Sequence, residues 1–61
     1  MANQTILVVD DEPKIVELIT MNLERDGFNV ISARDGYAAL EKVTKHLPDL
    51  IILDIMMPDM D

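Results

Sequence analysis

Three carboxylates stand where chemistry would need them. Asp10 and Asp11 follow the apolar run Ile6-Leu7-Val8-Val9, and Asp54 follows the apolar run Leu50-Ile51-Ile52-Leu53. Each run is short, β-rich and continuous rather than alternating, the pattern of a strand covered on both faces of a parallel sheet. In such a sheet, functional groups collect at the carboxyl ends of the strands. If the two strands are neighbours, Asp10, Asp11 and Asp54 converge on one edge. Carboxylates that close repel one another and favour protonation. A hard divalent cation relieves the repulsion. Mg²⁺ suits such a site, since it takes oxygen ligands, keeps several waters and uses one or two carboxylates beside phosphate. The expectation is a Mg²⁺ site with an exposed carboxylate beside it. Either half alone has an ordinary explanation. Asp10-Asp11-Glu12 would cap a helix and complement its dipole, and Asp54 would simply close a strand. Together, at two strand ends, they point to metal chemistry, with Asp11 able to serve as cap or as ligand.

The elements that must position these groups are legible from periodicity. A strand is expected over 5–10, a helix over 12–26, a strand over 28–32, a helix over 35–46, a strand over 49–54 and a loop over 55–61. The first helix starts with acidic Asp11 and Glu12 and with Pro13 near its first position. It carries an apolar stripe of Ile15, Leu18, Ile19 and Leu23 and stops at Asp26-Gly27, where glycine takes the left-handed conformation without steric cost. The second helix has Asp35 as its N-cap, a stripe of Ala39, Leu40, Val43 and Leu47, and ends before Pro48. The second strand, Phe28 to Ser32, is more polar and so more exposed than the first. The βαβαβ alternation implies a parallel sheet with right-handed crossovers. Placing the most apolar strands, the first and third, inside gives the order 2-1-3 with one helix on each face.

Composition narrows the function classes. The 61-residue chain has 5 Lys and Arg against 12 Asp and Glu, a net charge of −7. That balance disfavours binding to nucleic acid, which needs clustered cations. With no Cys, no disulfide or thiolate metal site is available, so a chain this small folds on its core or on a partner. The apolar runs are too short to span a bilayer, and the N-terminus lacks the pattern of a signal peptide. A soluble cytoplasmic protein is expected. His46, near the end of the second helix, suits the helix dipole. Met21, Met56, Met57 and Met60 are read as gap-filling or loop residues, because thioethers favour soft metals.

Three segments carry a resemblance. Ile6-Leu7-Val8-Val9-Asp10-Asp11-Glu12-Pro13, then Ala33-Arg34-Asp35-Gly36-Tyr37-Ala38-Ala39-Leu40, then Pro48-Asp49-Leu50-Ile51-Ile52-Leu53-Asp54 continuing to Asp61, occur in order and span nearly the whole chain. The chain resembles the N-terminal half of a bacterial response-regulator receiver domain, which has a flavodoxin-like α/β fold. The resemblance implies that Asp54 accepts a phosphoryl group from a partner histidine kinase. It implies that Asp10 and Asp11, with Asp54, hold Mg²⁺, that the Met56 backbone carbonyl completes the metal site, and that Pro58 shapes the loop. Attack by a carboxylate on a phosphoryl group needs an ionised nucleophile and a cation against the developing charge.

The resemblance also implies two further strands, three helices, a hydroxyl residue and a lysine that this stretch does not contain, and an output domain beyond them. Lys14, Lys42 and Lys45 fall on helices and fit neither role. The expectation is a fragment whose third strand is an open apolar edge and which is completed by a homodimer. The form considered pairs the third strand with its two-fold mate, in the order 2-1-3-3′-1′-2′. It is not expected to be an enzyme. The alternative is a pure self-association module whose acidic pocket is idle.

Overall fold

The computed structural model describes residues 3–53. Asp54, Met56, Pro58 and the loop expected over 55–61 lie outside the described residues. The elements run β1 (Thr5–Val9), α1 (Pro13–Arg25), β2 (Asn29–Ala33), α2 (Gly36–His46) and β3 (Leu50–Leu53). The sheet has the order β2-β1-β3 and is parallel throughout, as expected. In register, Leu7 lies opposite Ile31 and Ile51, and Val9 opposite Ala33 and Leu53.

β1 is the centre. Side chains of a strand alternate between faces, and both of its faces are covered. Leu7, Val9 and Ala33 form a cluster against Ile31 and against Ala38, Ala39 and Val43 of α2. Ile6 and Val8 point to the other face and are also buried, where α1 packs on β1 and β2. β2 is more exposed than β1, as its polar residues imply.

The helix ends follow their local chemistry. Pro13 opens α1, where its missing N–H costs nothing. Gly27, at φ +96°, turns the chain after α1, and the Asp26, Gly27 and Phe28 amides donate back to the Leu23 and Glu24 carbonyls. The Asp35 side chain accepts from the Ala38 amide at 2.8 Å and caps α2. Leu47 ends α2 in the left-handed region at φ 48°, a conformation that strains a residue with a Cβ. Pro48 then bars a further turn.

Two expectations need correction. In α1 the half-buried arc is Val16, Ile19, Thr20 and Leu23, while Ile15 and Leu18 are exposed. In α2 it is Ala38, Ala39, Lys42 and Val43, with Leu40 and Leu47 exposed. The cause is shared: among the described residues both helices pack close to β1 and β2 and neither backbone comes close to β3, so the arc facing the β1–β2 pair is the one covered. β3 is not the covered strand its hydropathy alone implies, but the open apolar edge expected of a fragment. Its Leu50, Ile51 and Leu53 are exposed. Among the described residues no helix is long and apolar enough to cross a membrane.

Candidate functional site

Asp10 leaves the carboxyl end of β1 between the two helix-bearing layers. Its amide donates to the Ala33 carbonyl at 3.1 Å, which ties it to the end of β2. Its Oδ1 accepts from the Glu12 amide at 2.9 Å. The residue is only 8% exposed. Its second oxygen, Oδ2, is buried and has no hydrogen-bond partner among the described residues. A carboxylate oxygen removed from water and left unpaired is costly, and such atoms are few in folded proteins.

The bond to Glu12 also revises the reading of the helix start. The N-cap of α1 is Glu12, whose side chain makes no capping bond, and the first turn of the helix carries no acidic residue. The carboxylate that meets an amide at this end comes from Asp10, upstream of the cap. Asp11 and Glu12 are exposed, and the positive end of the α1 dipole favours all three anions.

Asp10 and Asp11 line one cavity of about 370 Å³ with Pro13, Val16, Glu17, Ser32, Ala33 and Arg34. Ser32, Ala33 and Arg34 belong to the carboxyl end of β2 and its exit, and the sequence reading gave them no part. The order 2-1-3 was the signal, since it sets the end of β2 beside the end of β1. Of the four expected site residues, the sequence neighbours Asp10 and Asp11 share this cavity. The other two, Asp54 and Met56, lie outside the described residues. Among the described residues no group of three metal-binding side chains occurs. The parallel register ends with Val9 opposite Leu53, so the last paired residues are those that precede Asp10 and Asp54 in sequence.

A donor set of hard carboxylate oxygens, one of them buried and unpaired, fits a hard divalent cation. It does not fit a soft metal.

Comparison with known proteins bears on this site. The model of the response regulator receiver domain matches residues 6–61. The chain belongs to that family. The receiver is 56% identical over 59 residues to the alkaline phosphatase synthesis transcriptional regulatory protein PhoP of Bacillus subtilis, a match that covers 97% of this chain and 25% of that protein. Among solved structures it is similar to the N-terminal domain of a response regulator receiver protein from Methanoculleus marisnigri, with a TM-score of 0.87 and 48% identity over 98% of this chain and 49% of the other. It is also similar to the response regulator TrrA of Thermotoga maritima in complex with Mg²⁺-BeF, with a TM-score of 0.83, 46% identity and coverage of 92% and 49%. The receiver chain spans about a quarter of the length of the curated relatives it matches and about half of these solved chains. The fold is therefore that of a flavodoxin-like receiver, a signalling domain of two-component systems.

Proposed function

We propose that this chain carries the phosphoacceptor end of a receiver, with Asp54 as the group that takes a phosphoryl from a histidine kinase. The observation that carries this reading is the unpaired, buried Oδ2 of Asp10, on a strand whose register with β3 ends one residue short of Asp54. Asp10, Asp11 and Asp54, with the Met56 carbonyl, would hold Mg²⁺, whose chemistry when bound is to neutralise charge that develops on a transferring phosphoryl group. The relative solved with Mg²⁺-BeF supports the choice of metal.

The chain's own residues have separable tasks. Asp10 is fixed at both its amide and Oδ1, so Oδ2 is presented in one direction. Asp11, exposed on the same cavity, supplies negative charge near solvent. Asp54 is the nucleophile: its oxygen forms a bond to phosphorus as the bond from phosphorus to the donor breaks. In the whole protein the acyl phosphate formed would be passed on as a signal to an output region.

Intact-protein mass tests this. After incubation with a small acyl-phosphate donor and Mg²⁺, the wild type gains one phosphoryl group and Asp54→Asn gains none. An adduct of equal yield on both would overturn the assignment.

The uncovered β3 supports a second reading about partners. With Leu50, Ile51 and Leu53 exposed and no helix on the strand, two copies could pair antiparallel through β3 about a two-fold axis. Sedimentation of the folded chain at high micromolar concentration should give a dimer, and a monomer there excludes this pairing.

A further inference from the structure

The carboxylate of Asp49 has no part in the acidic pocket, yet it makes the longest-range side-chain bond among the described residues. The Thr5 amide donates to Asp49 Oδ2 at 2.8 Å, and the Asp49 amide donates to the Thr5 carbonyl at 2.8 Å. The two bonds close a clasp between the first residue of β1 and the residue before β3. Asp49 thus offers Thr5 a side-chain oxygen where a strand would offer a carbonyl.

The place of this clasp gives it weight. β2 and β1 are held together by two helices that pack across both. β3 has no such support. Among the described residues no helix backbone comes close to it, Leu50, Ile51 and Leu53 are exposed, and it meets β1 over four registered pairs. Register is strongly specified where one face is buried, and weakly where it is not. The four residues Leu50-Ile51-Ile52-Leu53 are moreover nearly equivalent in shape and polarity, so hydrophobic pattern scarcely distinguishes one register from the next. A slip by one residue would reverse the face of every β3 side chain and move the end of β3 by about 3.3 Å along β1.

We propose that Asp49 is a positioning residue for the acidic pocket. Its clasp on Thr5 locks β3 in the register that ends with Val9 opposite Leu53, and so sets the spacing between Asp10 and the residue that follows Leu53. This rests on the reading of Asp10 and Asp54 as a shared metal site. Asp49 acts from the opposite end of the strands and touches neither ligand nor reacting atom.

Mg²⁺ titration of the folded chain, followed at the amide resonances of Asp10, Asp11 and Glu12, tests the proposal. Asp49→Ala should bind Mg²⁺ about tenfold more weakly, the low end for loss of a group that orients ligands. Asp49→Asn, whose side-chain oxygen can accept the same bond, should stay within about twofold of wild type on the same grounds. Thr5→Pro removes the donor while keeping the Asp49 charge, at a strand's first residue where proline is tolerated, and should match Asp49→Ala. A purely structural role would lower stability but leave the affinity of the folded molecules unchanged, and that result overturns the proposal. So does failure of both Asp49→Ala and Thr5→Pro to fold, since the clasp would then determine the fold and not the spacing. If wild type shows no Mg²⁺ shift, the metal reading falls. The register lock would still be upheld if β1–β3 cross-strand contacts vanish in Asp49→Ala and persist in Asp49→Asn.

Discussion

β1 and β3 are built from the same kind of residue and live in different worlds. Ile6-Leu7-Val8-Val9 is sealed, with Leu7 and Val8 fully buried, while Ile51 is 46% and Leu53 56% exposed on the neighbouring strand. Hydropathy made both segments strands. Position in the sheet and the docking line of two helices decided which one became the core. The consequence reaches the site: Asp10 follows a strand covered on both faces, whereas β3 is joined to β1 by its backbone ladder and the Asp49–Thr5 bonds.

Core truncation breaks this contrast most strongly. Leu7→Ala removes a fully buried side chain and should destabilise the fold by about 2–5 kcal/mol, enough to unfold much of a marginally stable chain. Ile51→Ala, one strand over and in register with Leu7, should cost about 1 kcal/mol or less. Urea unfolding followed by circular dichroism measures both, and equal losses would contradict the division between the strands.

A smaller effect sharpens it at the entry to β3. Leu47 holds a left-handed backbone with an exposed side chain. Leu47→Gly relieves the strain and gives up little burial, so a gain of about 0.5–1 kcal/mol is expected from the same unfolding curve. A loss there would mean that the Leu47 side chain, rather than its backbone, holds the α2–β3 junction.

Much of this was legible in the sequence, and the exceptions have a common physical origin. The five elements, the order 2-1-3, the Asp35 cap and the Gly27 turn follow from periodicity and from the chemistry of single residues. Asp10 and Asp11 stand together because they are consecutive residues after β1, and the parallel order sets them beside the end of β2. The helix stripes were misread because periodicity gives a helix's apolar side without its docking angle. Leu40 and Ile15 are as hydrophobic as any core residue, and only the line of contact over β1 and β2 leaves them out. The open edge of β3 follows from the strands the resemblance implies beyond it, and not from strand hydropathy, which does not say which edge lacks a neighbour. The Oδ2 of Asp10 and the Asp49 clasp are invisible in the sequence for another reason: the first depends on how the burial of one oxygen falls out in the packed fold, and the second on a hydrogen bond between residues 44 positions apart.

The most direct test concerns Asp10. A buried carboxylate oxygen with no partner among the described residues would destabilise the metal-free protein, and a bound cation would relieve it. Unfolding free energy should be measured with and without Mg²⁺ for wild type and Asp10→Asn. The wild type should gain about 1.4 kcal/mol at a Mg²⁺ concentration ten times its dissociation constant, by mass action. Asp10→Asn should lose that gain and, without Mg²⁺, be as stable as wild type or more so, because the buried charge is gone. A wild type indifferent to Mg²⁺, or an Asp10→Asn variant stabilised by Mg²⁺ to the same extent, would contradict the assignment of this strand end as a cation site.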